Sequence, residues 1–147
     1  MAVLSVAGLR QRIQSRITGA LGSQGWKPSR YVHDLFGRDT DQITPRAFSV
    51  GVLSTTPVGG RQRLGAGAYV STDISVKFAW RLRGDAQVAD YDQAITAEED
   101  LLVAIMGTGL SNLHIQLDSI PTRATAAGGQ WFLGELIFKT EHRLPLT

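Results

Sequence analysis

The sequence predicts an α/β (α+β) protein in which two helices pack on a mostly antiparallel β-sheet, with the element order α-β-β-α-β-β. Two observations lead to this fold class. In two segments, apolar residues recur every three or four positions, which is the spacing of one face of a helix. In four other segments, apolar and polar residues alternate, as they do along a strand with one buried face.

Length and composition indicate a single globular domain spanning residues 1–147. The chain is 43% apolar and 19% charged, far from a disordered composition, and its net charge of +2 is too small for a dedicated nucleic-acid-binding protein. The absence of cysteine excludes a disulfide scaffold, a thiolate nucleophile and thiolate-ligated metals. Because no apolar run is long enough to span a bilayer and no secretory signal is present, we expect a soluble cytoplasmic product without a membrane partner.

The first helix is predicted over residues 5–21. A single apolar stripe with four-residue spacing runs along it: Leu9, Ile13, Ile17 and Leu21. Ser5 is a residue type that caps helix N-termini, and Gly22 favours termination of the helix.

An extended loop is predicted over residues 22–45, with a short helical turn near 32–36, because Gly, Pro and Asp interrupt the apolar residues. Loops of this length are usually functional or held by a partner. Three aromatic residues lie in this one: Trp26, Tyr31 and Phe36. Their side chains either fold back onto the core or contact a second subunit, since aromatic residues dominate protein interfaces. Subunit contact is the hypothesis adopted for all three.

Two strands are predicted next, separated by an extended, mobile loop over residues 54–67. The first strand follows from the alternation that begins at Phe48, and the second covers about 13 residues, from Val70 to Leu82. Arg61 and Arg63 lie in the loop, while Arg81 and Arg83 close the second strand. These four arginines are either ordinary solubilising charge or a surface that faces the lumen of a ring, a phosphate backbone or an acidic protein partner.

A second helix and a terminal hairpin complete the chain. The helix is expected to begin with a capping box at Asp90 or Thr96 and to end at Gly107. A third strand begins near Leu113, an extended flexible loop covers residues 121–129, and a fourth strand covers 130–144. Because the fourth strand is apolar on both faces, we expect both faces to be covered.

No pattern in the sequence indicates a catalytic, cofactor-binding or metal-ligating site. The Gly-rich stretch beginning at Gly65 lacks the third glycine of a dinucleotide fingerprint and leads into a strand rather than a helix. The three histidines lie in separate segments, and no serine lies in a nucleophile elbow. We therefore expect a protein that is not an enzyme and that uses neither a cofactor nor a metal.

In length and element order, the whole chain resembles the tail terminator (tail completion) proteins of long-tailed bacteriophages. Its short apolar–basic tail, from Phe138 to Leu146, also fits this pattern. The resemblance implies a small α/β sandwich that assembles into a homohexameric ring. It further implies a structural virion protein at the head–tail interface, assembled in the host cytoplasm. Such a ring caps the tail tube, stops its polymerisation and offers a joining surface to the head.

The partners that the resemblance implies are the tail tube protein, a head-completion or connector protein, and non-specific DNA in the lumen. Ring closure needs exposed strand edges, and we expect the second and fourth strands to supply them. Two alternatives remain open from the sequence. One is a head-completion or neck adaptor protein that contacts the portal, and the other is a small cytoplasmic enzyme or ligand-binding domain.

Overall fold

The computed structural model describes residues 3–29, 45–58, 68–107, 113–126 and 129–145. It has a mixed five-stranded sheet and two α-helices, so the α+β class is confirmed. In chain order the elements are α1 (Val6–Leu21), a 3₁₀ turn (Gly22–Gln24), β1 (Lys27–Pro28), β2 (Ala47–Pro57), β3 (Tyr69–Arg81), α2 (Gln87–Met106), β4 (His114–Ala126) and β5 (Trp131–Arg143). The sequence pattern did not predict the 3₁₀ turn or the short strand β1, so the observed order of the described helices and strands is α-β-β-β-α-β-β rather than α-β-β-α-β-β.

The strand order across the sheet is β1-β2-β3-β5-β4. All neighbouring strands are antiparallel except β1 and β2, which are parallel. The chain leaves β3 through α2, forms β4 at the far edge, and returns in a hairpin that inserts β5 beside β3. Pairing of β3 with β5 is continuous, from Tyr69 opposite Arg143 to Arg81 opposite Trp131.

The expectation that the second and fourth predicted strands form open edges is wrong. These strands are β3 and β5, and each is paired with a neighbour on both sides. In the part of the chain that the structure describes, the open edges are the outer side of β4 and the portion of β2 beyond its two-residue pairing with β1. Strand order depends on long-range pairing, which alternation along a single strand does not reveal.

Helix α1 follows its predicted pattern closely. The Ser5 side chain caps it by accepting a 3.0 Å hydrogen bond from the Gly8 N–H, and the predicted apolar stripe is buried. Gly22 is the C-cap residue, as predicted, but its backbone is right-handed and the chain continues into the 3₁₀ turn. Gly25, with a φ of 92°, adopts the left-handed conformation that ends this turn.

Helix α2 starts earlier than either predicted capping box. Its N-cap residue is Ala86, which has no capping side chain. Asp90 lies inside the first turn, where its carboxylate accepts hydrogen bonds from Arg83 instead. Thr96 lies in mid-helix, and its hydroxyl donates to the Asp92 carbonyl. Both capping boxes are therefore wrong, because the helix already begins at Gln87 and the two side chains form other hydrogen bonds close in sequence.

The main core lies between the sheet and the two helices. Its largest fully buried side chains are four phenylalanines, contributed by β2, β3 and β5: Phe48, Phe78, Phe132 and Phe138. Gly134 makes this packing possible, because a Cβ there would lie only 2.4 Å from the Phe78 ring. A smaller buried cluster on the opposite face contains Ala79, Trp131 and Leu133, so for these residues the predicted burial of both faces of β5 is confirmed.

The three predicted loops are shorter than expected. Residues 54–57 continue β2, residues 121–126 continue β4, and residues 22–28 contain the 3₁₀ turn and β1. Threonine is abundant in the first two segments and is a good strand residue once a neighbouring strand is available. The remaining loop positions, 30–44, 59–67 and 127–128, lie outside the described residues, and so does the predicted helical turn near 32–36.

Candidate functional site

Strand pairing brings several basic residues to one end of the sheet. Lys27 lies opposite Ala47 in the β1–β2 pair, and its N–H donates to the Arg46 carbonyl over 3.2 Å. The Arg46 N–H in turn donates to the Ala79 carbonyl over 3.0 Å, which places Arg46 beside the last residues of β3. Arg81 is the last residue of β3, so Lys27 of β1, Arg46 just before β2 and Arg81 lie at one end of the sheet.

Arg46 has an unusual backbone conformation at this position. Its φ of 60° is in the left-handed region, which costs a non-glycine residue roughly 1–2 kcal/mol. The guanidinium carbon lies 5.0 Å from the centroid of the Trp80 ring, and Nη1 donates to the Gln24 carbonyl. A cation–π contact and a hydrogen bond thus hold the charged group over the half-buried indole.

Arg83 is already paired with a carboxylate. Its backbone N–H and its Nε both donate to Oδ2 of Asp90, at 2.7 and 2.9 Å, and its Nη2 donates to Oδ1 at 2.9 Å. The Arg83 side-chain hydrogen bonds lower the pKa of Asp90 and raise that of Arg83, and the backbone N–H lowers the pKa of Asp90 further. Asp90 is buried, so this pair fixes the turn between β3 and α2.

A groove of about 610 Å³ opens where these residues meet. Its wall contains Trp80 and four basic residues, Lys27, Arg46, Arg81 and Arg83. We call this the basic groove. Among the described residues, Asp90 is the one acidic residue that lines it, and Arg83 neutralises that carboxylate. The basic groove is therefore suited to an anionic group rather than to a cation.

A smaller hollow of about 430 Å³ adjoins the basic groove and shares Arg46, Trp80 and Gln93 with it. Its other charged residues are Asp92 and Asp100, on the exposed side of α2. We call this the acidic hollow. The two depressions together form a surface that is positive on one side and negative on the other.

Of the sequence-predicted arginines, Arg81 and Arg83 both line the basic groove. Arg81 also lies over the Trp131 ring, with its guanidinium carbon 5.2 Å from the ring centroid. Arg61 and Arg63 lie outside the described residues. The sequence analysis missed Lys27, Arg46 and Trp80, because only the pairing of β1, β2 and β3 brings them to the arginines.

Burial of the Trp26 side chain contradicts the predicted subunit contact at this residue. Its side chain is only 2% exposed and packs against Phe78 and Trp80, with ring centroids 5.9 and 6.0 Å apart. An indole enclosed in this way is part of the core and offers no surface to a second subunit. Tyr31 and Phe36 lie outside the described residues.

The described residues contain no group of three or more His, Cys, Asp or Glu that is able to hold a metal ion. His114 is exposed, whereas His142 is fully buried. The His142 Nδ1 lies 2.7 Å from the Leu4 carbonyl and its Nε2 lies 2.8 Å from the Thr72 hydroxyl, so both ring nitrogens have structural partners. This histidine joins the N-terminal segment to the sheet.

In the comparisons with known proteins, no family model and no curated protein sequence matches the chain. Among the described helices, none is both long enough and apolar enough to cross a membrane.

Proposed function

We propose that this protein is a structural assembly protein that closes into a ring of identical subunits through its sheet edges, as a bacteriophage tail terminator does. The observation that supports this proposal is the presence of two different open edges on opposite sides of one sheet. A contact between unlike surfaces is the kind that closes into a ring when the rotation per subunit permits.

The first open edge is the outer side of β4. This strand is 13 residues long, and among the described strands it pairs with β5 alone. Two shifts in register interrupt that pairing, between Leu117 and Ser119 and between Ser119 and Thr122, and Pro121 lies within the second. Irregularities and prolines of this kind limit uncontrolled edge pairing. They leave a regular stretch on each side, 114–117 and 122–126, for a specific partner strand.

The second open edge is the distal part of β2. Near the start of β2, its edge is covered by β1 and by Arg10, which donates to the Val50 carbonyl over 3.3 Å. Beyond that point the strand is exposed from Leu53 to Pro57. Leu53 is half exposed, so its side chain is available for contact with a second copy.

The hydrogen bonds between β2 and β3 determine which way each backbone N–H group of this edge points. The Val58 N–H donates to the Tyr69 carbonyl on β3, and N–H groups alternate in direction along a strand. The N–H of Thr55 therefore points away from β3, toward an incoming strand. The backbone of Pro57 faces the same way, but proline has no N–H. Thr55 therefore provides the hydrogen-bond donor on this part of the edge.

A pair of substitutions at Thr55 tests the proposal. Thr55→Pro removes the outward N–H and places a ring where an incoming strand would lie, while the β2–β3 ladder stays intact. Thr55→Val is the matched control, since it also loses the hydroxyl that faces Thr72 but keeps the N–H. By sedimentation, the wild type and Thr55→Val should form one closed species, near 95 kDa for six copies of 15.9 kDa.

Thr55→Pro should shift to the single-chain mass. A second variant, Leu53→Lys, introduces charge at the same edge without altering the backbone and should have the same effect. A wild type that sediments as a monomer at all concentrations contradicts the proposal, and so does a ring that survives both edge variants.

The role at the head–tail interface is a further part of the proposal, with the tail tube protein and a head-completion protein as partners and non-specific DNA in the lumen. The role is structural rather than enzymatic. Electron microscopy of tails assembled without this protein distinguishes a terminator from a neck adaptor. Overlong tails are expected for a terminator, whereas tails of normal length that lack heads indicate the adaptor.

A further inference from the structure

We propose that the basic groove is a docking site for a short, extended acidic segment of a partner protein. This inference does not depend on ring formation, because the basic groove lies within one chain. Carboxylate side chains of the segment would pair with Arg81, Arg46 and Lys27, which have no ion-pair partner among the described residues.

The uncompensated charge is the first observation. Within the described residues, the ion pairs shown are Arg83 with Asp90 and Arg123 with Glu98. Lys27, Arg46 and Arg81 have no described carboxylate within ion-pair distance, although all three line the same groove. Arginine pairs with a carboxylate through two parallel hydrogen bonds, so Arg46 and Arg81 are well suited to this ligand.

The second observation is an unsatisfied hydrogen-bond donor at the same end of the sheet, on the face opposite the helices. Trp131, which lies under the Arg81 guanidinium, is only 2% exposed, and its Nε1 has no acceptor in the part of the chain that the structure describes. Buried donors without a partner are rare and destabilising, typically by about 1–3 kcal/mol.

The charge pattern favours a peptide over a nucleic acid. A nucleic acid strand carries a negative charge at every phosphate, so a strand that follows the surface beyond the basic groove meets Asp92 and Asp100 in the acidic hollow. A peptide can limit its negative charge to two or three residues. The volume of about 610 Å³ also lies within the usual range for clefts that hold a small ligand, roughly 300–1,000 Å³.

Fluorescence polarisation with the full chain tests the assignment. The probe is a labelled hexaglutamate peptide at low salt, and its uncharged counterpart is hexaglutamine. We expect hexaglutamate to bind and hexaglutamine not to bind. Arg81→Gln and Lys27→Gln should each weaken hexaglutamate binding roughly three- to tenfold, as expected for a partly exposed charge pair.

Lys139→Gln is the matched control, because this exposed lysine of β5 lies opposite Asp73, away from the basic groove. It should change hexaglutamate binding less than about twofold. Equal weakening by Lys139→Gln overturns the proposal, since the attraction is then general. Equal binding of hexaglutamine also overturns it. A labelled oligothymidylate with six phosphates that binds more tightly than hexaglutamate overturns it in favour of a nucleic acid.

Discussion

Arg123 of β4 forms a two-pronged ion pair with Glu98 of α2, with Nη2 2.7 Å from Oε1 and Nε 3.0 Å from Oε2. The Glu98 side chain is only 3% exposed, whereas that of Arg123 is 46% exposed. Hydrogen bonding to Glu98 raises the pKa of Arg123 further above its usual range. This pair joins the edge strand of the sheet to the longer helix.

We predict that Arg123→Leu destabilises the fold by roughly 1–3 kcal/mol, because the Glu98 carboxylate stays buried without its partner. The double variant Glu98→Leu with Arg123→Leu removes both charges and should lie within about 1 kcal/mol of the wild type. Urea unfolding of the three proteins measures this. A double variant less stable than Arg123→Leu contradicts the account.

The Arg83–Asp90 pair predicts a pH-dependent contribution to stability. The pKa of Asp90 is lowered in the folded state, so the stabilisation is complete above the unfolded aspartate pKa, about 3.9. It is lost as the pH falls through the lowered folded pKa. Wild type should therefore exceed Asp90→Asn in stability at neutral pH, and the difference should shrink in acid.

Urea midpoints measured from pH 7 to pH 2 check this expectation. Asp92→Asn is the matched control, because it removes an exposed carboxyl from the same helix. A difference between wild type and Asp90→Asn that stays constant across the range shows that the Asp90 carboxylate does not stabilise the fold in this way.

Trp26 is a core residue, and its substitution should affect stability. Trp26→Ala is expected to lower the free energy of unfolding by about 3–5 kcal/mol, since it opens a cavity beside Phe78 and Trp80. The loss should be the same at every protein concentration, because the contacts lie within one chain. A loss that appears only under conditions of assembly would restore Trp26 as a subunit contact.

The left-handed backbone at Arg46 predicts which of two variants has the higher stability. Arg46→Gly and Arg46→Ala both remove the contact with Trp80, but glycine tolerates a φ of 60° and alanine does not. Arg46→Gly should therefore be about 1 kcal/mol more stable than Arg46→Ala. Thermal unfolding compares them, and an alanine variant of equal or greater stability contradicts the assignment of strain to this residue.

The parts of the fold that the sequence predicted are those set by local periodicity. The stripe from Leu9 to Leu21 defines α1, and the alternation from Val70 to Leu82 defines β3, because burial on one face dictates both patterns. For the distal part of β2 the sequence predicts a loop, because its Ser, Thr and Pro residues become a strand only when β3 is beside them.

The candidate site was less predictable for the same reason. Arg81 and Arg83 stood out as neighbours at the end of a strand, but nothing in the sequence connects them to Lys27 or Arg46. Parallel pairing of β1 with β2 and the left-handed turn at Arg46 create that proximity. The burial of Trp26 could not be predicted either, since nothing in a sequence distinguishes a buried indole from an exposed one.

Hydrogen exchange of the edge amides at two protein concentrations tests the central claim, pairing of the sheet edges between copies, most directly. At high concentration the outward amides of Thr55 and of the regular stretches of β4 should exchange slowly, and on dilution to single chains they should exchange fast. Amides of β3 and β5 should stay protected throughout, because both strands are interior. Edge amides that exchange at the same fast rate at both concentrations would contradict the proposed assembly.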